Sequence, residues 1–549
     1  ATQPTDLPPP TVHGQPTNTP DASLAPGPWP LAPIFDLAPH DRAPYAAGLH
    51  RWKRGHHTAV RPYLRADIAA LPGTDTLPRP GALPFLDRWA RGDSGRFRGA
   101  PLVDLLGGLS SARTTHPAYR LGAGGWAEVD LHPSLTLHAD GMGWMERFPA
   151  HLDTLVQASG AAPSEGYAYG TRPAYTHYDW NAHLNWTTST YFNITVGRGR
   201  NFWGEGHRSL MLSDNATSYP YLRIATTFWK VRYVNLYALM DDIRGADGVP
   251  RRFQRKATSM HYLSYNVTPR INFGLFEAVI WQDNDPDYPR GFDFNYWNPV
   301  IFYRPVEFGL GSPDNALLGF ALNIKVGWQS LFYSQLVLDE FLLREVRGGD
   351  GWFANKQGFQ LGWMSYDAFK VKGLDVRLEF NYVRPFMYTH SDTRQNHAHF
   401  AQPLAHPYGS NFHESLAIVD WRRGRWSLRE HLGFAVMGLD TGLYSWGSDL
   451  YRPEKDRPVR DAQGRLQNYG FYLAAPVQAN LLHNELRGAY VLSERAGLQV
   501  EAAYAFRSFV PGVGDPQVQH WVRVGIAATF RDRYTDQQLH TRGATGQGL

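Results

Sequence analysis

The densest chemistry in the chain lies between Gly197 and Tyr221, in the run GRGRNFWGEGHRSLMLSDNATSYPY. Arg198, Arg200 and Arg208 alternate there with Glu205 and Asp214 around Trp203, and Asn215 follows. Guanidinium groups are planar forks that meet carboxylates through two bonds at once. Folded inward as a constriction, such a loop could read the acidic groups of a ligand. It could equally brace a polar interior through Arg/Glu/Asp pairs, and the residues alone leave both readings open. Gly197, Gly199, Gly204 and Gly206 allow sharp bends and close crossing of another chain. No Gly-Lys-Ser/Thr follows them, so the run is not a phosphate loop.

Other residue types that could do chemistry are weaker. His207, Ser209 and Asp214 are the types of a base, a nucleophile and an orienting acid, but they crowd one loop and no GxSxG elbow exists. Asp339 and Glu340 would face opposite sides of a strand and make poor acid/base partners. A non-enzymatic protein is therefore expected, with no catalytic residue and no cofactor. His390, His397, His399 and His406 cluster with Asp392 and could bind a transition metal, although loop hydrogen bonding accounts for them more simply. The aspartates of Asp283-Asn284-Asp285-Pro286-Asp287 lack the glycine and terminal glutamate of an EF-hand, so a solvated turn is expected and no metal site is assigned.

The elements that position these residues must suit an unusual composition. Among 549 residues there are 18 Trp, 29 Tyr and 29 Phe but no Cys. Mean hydropathy is nevertheless −0.41. The missing cysteine excludes a disulfide scaffold, a thiolate metal site and a lipoprotein anchor at Ala1. No apolar run approaches the roughly 18 residues of a membrane-spanning helix. A net charge of +4 gives no support to nucleic-acid binding. The start at Ala1 rather than Met suggests an exported chain whose signal peptide has been removed.

Residues 1–45 hold twelve prolines and read as an extended arm, disordered or laid along an envelope protein partner. Residues 46–115 show three- and four-residue apolar spacing, through Leu64, Ile68 and Leu71 and again through Leu102, Leu105, Leu106 and Leu109. Breaks such as Pro72-Gly73 and Gly107-Gly108 suggest a small helical subdomain. Beyond about residue 116 the period becomes two. Tyr178, Trp180, Ala182, Leu184 and Trp186 alternate with His177, Asp179, Asn181, His183 and Asn185. The same alternation recurs at Leu374–Tyr382, Leu498–Arg507 and Val522–Phe530. Adjacent strand residues face opposite sides, so each strand has an apolar face and a polar one. A soluble sandwich and a membrane barrel both use such strands. Recurrence over some 400 residues, with aromatics at strand ends, favours a transmembrane β-barrel of about 16–18 antiparallel strands over residues 116–534. The polar stretch 535–549 carries no pattern and reads as a loose tail.

The run Gly197-Arg198-x-x-Asn201-Phe202-Trp203-Gly204-x-Gly206-x-Arg208-Ser209-Leu210-x-Leu212-Ser213-Asp214-Asn215-Ala216, with Tyr219-Pro220-Tyr221, resembles the signature of the Wzi-type capsule-assembly family. It looks most like the branch that includes gliding-motility-associated surface proteins. Supporting stretches are GLFEAVIW (274–281), NPVIFYRPVEF (298–308), SQLVLDEF (334–341) and QPLAHPYGSNFHE (402–414). The resemblance implies a barrel in the bacterial outer-membrane lipid, with a small helical element on the periplasmic side. It also implies a lectin-like role in holding acidic exopolysaccharide at the cell surface. Candidate residues for that role, or for a network in the lumen, are Arg198, Arg200, Trp203, Glu205, Arg208, Asp214 and Asn215. Arg304 and Glu307 of the 298–308 stretch, and Arg377, Glu379 and Arg384 around the 374–382 strand, complete the set. The proline-rich arm is not part of the resemblance. It keeps open a structural role in a multiprotein complex, related to gliding or secretion, and a passive porin is the further alternative.

Overall fold

The computed structural model describes Leu49, Gly55, Asp67 and residues 57–64, 97–112, 114–283, 291, 293–299, 314–327, 329–493, 496–529 and 533–538. The arm at 1–45 and most of the expected helical subdomain lie outside these residues.

Eighteen strands form one closed antiparallel barrel. They are β1 (Phe97–Ser111), β2 (Thr115–His132), β3 (Leu135–Arg147), β4 (Ala174–Thr187), β5 (Phe192–Gly199) and β6 (Tyr219–Phe228). Then come β7 (Val231–Asp242), β8 (Gln254–Thr268), β9 (Ile271–Gln282), β10 (Asn315–Val326), β11 (Ser330–Leu338) and β12 (Gln357–Ser365). The last six are β13 (Leu374–Val383), β14 (Phe412–Arg423), β15 (Trp426–Leu439), β16 (Val477–Ser493), β17 (Leu498–Pro511) and β18 (Gln517–Ala528). Each pairs with its neighbour in sequence, and β18 closes on β1 from Leu105↔Ile526 to Ser111↔His520. Closure leaves the sheet no free edge for lipid to meet.

The alternation seen in the sequence decides which face is which. On β4, Trp180 and Trp186 are 45% and 50% exposed, whereas His183 and Asn185 are 2% and 1% exposed. The apolar row therefore points out of the barrel and the hydrogen-bonding row points in. A soluble sandwich would show the reverse. Outward aromatics gather at both ends, with Trp186, Phe228, Trp229 and Trp426 at one and Tyr178 with Trp180 nearer the other. This is the pattern of a barrel crossing lipid.

The two ends also differ in their connections. Residues 133–134, 188–191, 229–230, 269–270 and 424–425 are tight turns at one end. Segments 148–173, 200–218, 243–253, 339–356, 384–411 and 440–476 are long loops at the other. The first of these carries helix α1 (Ala150–Ser159). The start of β1 and the end of β18 lie at the short-turn end.

Two expectations need correction. Residues 97–111 form a barrel strand, so the barrel starts at Phe97 rather than 116. The helical spacing of Leu102, Leu105, Leu106 and Leu109 arises because both faces of β1 are leucine-rich. Leu105 and Leu109 point out, while Leu102 and Leu106 point in. The Gly107-Gly108 pair does not break the strand. A side chain on Gly108 would meet the Val522 carbonyl at 1.8 Å, so the glycine permits the closing seam. Secondly, the stretch after β18 is not loose where it is described, because residues 533–538 turn back into the lumen.

Candidate lumen site

Loop 200–218 leaves β5 and dives into the barrel, where segment 57–64 meets it. Val60 and Arg61 pair as a short antiparallel bridge with Trp203 and Phe202. Gly204 adopts φ 150°, and Gly206 lets the Glu379 carboxylate approach the backbone. A Cβ at Gly206 would lie 2.5 Å from that carboxylate. Glu379, inward on β13, accepts from the backbone N–H of His207 at 2.8 Å and of Arg208 at 3.1 Å. Tyr333 and Asn381 also donate to it, at 2.8 and 3.0 Å. Two backbone donors on one carboxylate fix the loop's tip to the wall.

Arg208 is the centre of this arrangement. It is fully buried and pairs with Glu414 at 3.1 Å and with Asp536. Glu414 also takes His406 Nε2 at 2.7 Å. Burial works against the Arg208 charge, but the Asp536 and Glu414 carboxylates outweigh it and hold the group protonated. Burial, followed by the Arg208 charge, pushes neighbouring His207 well below its usual range, so it stays neutral. Trp203 is fully buried against Tyr262 and Phe276, with ring centroids 5.7 and 5.9 Å away. Gln335 accepts from Leu210 N at 2.8 Å and donates to the Trp203 carbonyl at 3.1 Å.

The remaining signature residues are engaged in the same way. Arg200 donates to the Asp214 carbonyl at 3.2 Å, and the Asp214 carboxylate accepts from Tyr534 at 2.7 Å. Asn215 donates to the Pro403 carbonyl at 3.0 Å, and Glu205 accepts from Thr58. Arg198 stands apart on the outer wall, stacked 4.7 Å over Trp180 and paired with Asp179 at 2.9 Å. It covers the stretch of β4 beyond Ala182, where pairing with β5 stops. Arg377 lines a cavity of about 70 Å³ with Glu205, His207 and Tyr366, space for a few waters. Arg384 braces the long loops through the Trp352 and Phe471 carbonyls at 3.4 and 3.2 Å. Arg304 and Glu307 lie outside the described residues.

The sequence-distant stretches converge on this loop. Phe276 comes from β9, Gln335 from β11, and His406 with Glu414 from the 402–414 stretch. In the structure Arg200, Glu205, Arg208, Asp214 and Asn215 all bond to other groups inside the barrel. The fold brings in residues that sequence reasoning missed, chiefly Tyr333, Gln335, Glu414, Tyr534 and Asp536. The inward row of each strand was the signal for the first three. No signal marked the last two.

The other clusters do not assemble as reactive sites. Ser209 donates to the Trp203 carbonyl at 2.6 Å, away from the Asp214 carboxylate that Tyr534 holds. His397 meets the Met211 carbonyl at 2.8 Å, His399 accepts from Asp241 N at 3.0 Å, and half-buried His390 lies beside Ser391. Burial pushes His397 down to about 4. Asp339 and Glu340 sit in the loop after β11, where with Glu454 they hold buried Lys356 charged above the usual lysine range. Among the described residues, Glu146, Glu165 and His177 bring ligand atoms within 4.8 Å of one another. Arg120 and Arg533 already pair with these carboxylates. Of the 283–287 aspartates, only Asp283 is among the described residues.

No protein-family model and no curated protein sequence matches the chain. Among solved structures, it is similar to Wzi of Escherichia coli, described as an outer-membrane protein involved in group 1 capsule assembly and a carbohydrate-binding β-barrel. The two are 14% identical with a TM-score of 0.53, covering 90% of this chain and 99% of Wzi. The chain shares the barrel fold of Wzi. Two Pseudomonas aeruginosa barrels, OccK8 (OprE) and OprD, match at 9% identity and a TM-score of 0.41. They cover 78% and 81% of this chain and 97% and 96% of their own. That likeness is too slight to carry an argument. The likeness to Wzi does not reach the gliding-associated branch, which rests on the sequence stretches alone.

Proposed function

We propose that the protein is a non-enzymatic outer-membrane barrel that holds acidic surface polysaccharide on the rim of its long loops. The long-loop end is taken as extracellular, since outer-membrane barrels keep short turns on the periplasmic side. The observation that carries the reading is the set of exposed guanidinium groups on that rim, of which those of Arg252, Arg344 and Arg465 also pair there with Asp247, Glu345 and Asp461. Arg251, Arg252 and Arg255 follow β7, Arg344 and Arg347 follow β11, and Arg460 and Arg465 lie in loop 440–476, all of them exposed. Exposed aromatics stand on the same end, among them Trp297, Tyr444, Tyr469 and Tyr472. Guanidinium forks suit uronic-acid carboxylates, and flat rings suit the faces of sugars. The carbohydrate-binding description of Wzi supports the same reading.

A passive porin fits less well, because loops 200–218 and 384–411 fill the lumen with buried side chains. The role is tested by deleting the protein and measuring cell-bound against shed polysaccharide. Unchanged retention would reject it. Binding of purified acidic polysaccharide to the barrel in detergent is the direct assay, and it should weaken as salt rises.

A further inference from the structure

The segment after β18 does more than trail from the barrel. Arg533 reaches Glu146 on β3 through both guanidinium nitrogens, beside Arg120. Tyr534 donates to Asp214 at 2.7 Å with the His207 carbonyl 3.2 Å from the same hydroxyl, so it touches both ends of the Arg208 turn, and its ring lies 4.8 Å from the Arg208 guanidinium. The Thr535 hydroxyl donates to Glu485 at 3.1 Å, while its carbonyl meets His151 of α1 at 2.8 Å. Asp536 pairs with Arg208, Gln537 donates to Asn215 at 2.8 Å, and Gln538 accepts from Arg507. Six consecutive residues each find a polar partner in the lumen.

We infer that the lumen contains a peptide-binding track, occupied in cis by Arg533–Gln538, and that this occupancy completes the seal made by loops 200–218 and 384–411, the first of which the segment holds in place through Arg208, Asp214 and Asn215. Three features support a seated peptide over fixed wall. The segment belongs to no strand and has no backbone ladder with the barrel. Its partners come from β3, α1, loop 200–218 and the β16–β17 pair, so it ties together parts of the barrel that are separate in the sheet. Two of the wall's charges stay matched without it: Glu146 retains Arg120 at 2.8 Å and His177 at 3.2 Å, and Arg208 retains Glu414. Arg507, whose hydrogen-bond partner is Gln538, would instead meet the water that replaces the segment. Withdrawal would thus leave Glu146 and Arg208 with partners, where removing a sole partner makes a buried pair irreplaceable. The pattern to be recognised is a cation, an aromatic hydroxyl and an anion, at positions 533, 534 and 536.

A variant ending at Thr529 tests this in planar bilayers. The full-length protein is expected to be nearly silent and the shortened one to conduct. A synthetic peptide of residues 529–540 should restore the block. Replacing Asp536 by Ala in that peptide should weaken its binding about ten- to a hundredfold, as loss of a charge-assisted hydrogen bond does. A shortened barrel that keeps its folded electrophoretic mobility and stays silent, or binds no peptide, overturns the inference. Should the shortened barrel not fold, the full chain decides. Arg533→Ala, Tyr534→Ala and Asp536→Ala together in the full chain remove the segment's anchors, so the folded barrel should conduct and the 529–540 peptide should restore the block. A folded triple variant that stays silent would overturn the inference equally.

Discussion

The loop at 200–218 and the rim formed by loops 243–253, 339–356 and 440–476 carry the same guanidinium group in opposite surroundings. Arg208 in the lumen is sealed from water and fixed between two carboxylates. Arg347 and Arg460 at the rim are exposed to solvent. Buried charge pairs contribute through geometry and fail badly when one partner is lost, whereas exposed charges contribute little to folding. The difference separates two jobs that a sequence signature merges. The signature residues are bonded within the interior, and on the proposed reading the exposed cations are the ones that meet a polyanion.

The most severe way to break this comparison is Arg208→Ala. It leaves Glu414 and Asp536 buried without their shared cation, and stability should fall by about 3–5 kcal/mol. The denaturant midpoint in detergent reads this directly. A variant of normal stability that no longer binds polysaccharide would reverse the two roles. Next in size is the rim. Neutralising Arg251, Arg252, Arg344 and Arg347 together to Gln should lower affinity for an acidic polysaccharide by roughly tenfold, with a shallower salt dependence. Thermal stability should stay the same, and loss of stability without loss of affinity would contradict the reading.

A smaller effect is expected at the base of the 440–476 loop. Asp440 accepts from Trp446 N at 3.0 Å and Ser448 N at 3.2 Å. Burial, followed by the nearby Asp449, pushes it from 3.8 up to about 6. A raised folded value means the folded loop holds its proton to higher pH than the unfolded one. The stabilisation is therefore full below 3.8 and is lost as pH rises through about 6. Limited proteolysis of this loop, corrected with an unstructured substrate, should be faster at neutral pH than in mild acid. Asp440→Asn should flatten that profile. The smallest effect belongs to Arg465, whose pair with Asp461 spans 2.7 Å but leaves the arginine 75% exposed. Arg465→Ala should change the midpoint by less than about 0.5 kcal/mol.

The barrel was legible because lipid and lumen impose opposite demands on alternate residues, as in Tyr178–Trp186. Leu102–Leu109 was not, because leucines on both faces of β1 imitate a helical period. At the site, the chemistry of Arg208 and Trp203 was visible in the residue types, but whether it served a ligand or the wall was not. That depends on Glu379, Glu414 and Gln335, which lie more than 120 positions away. The insertion of Tyr534 and Asp536 left no trace in pattern or composition. Its partners are fixed only when the barrel closes, more than 300 positions earlier in the chain.

The outward apolar row of the strands also governs how the protein can reach its place. A chain whose oily side chains are meant for a bilayer has no dry interior to collapse around in water. Its alternate polar residues prevent a helical hairpin from sheltering them. Between synthesis and insertion it must therefore be kept unfolded and shielded from water. Simple dilution from denaturant into buffer should yield aggregates, while the same dilution into detergent micelles or lipid vesicles yields the barrel.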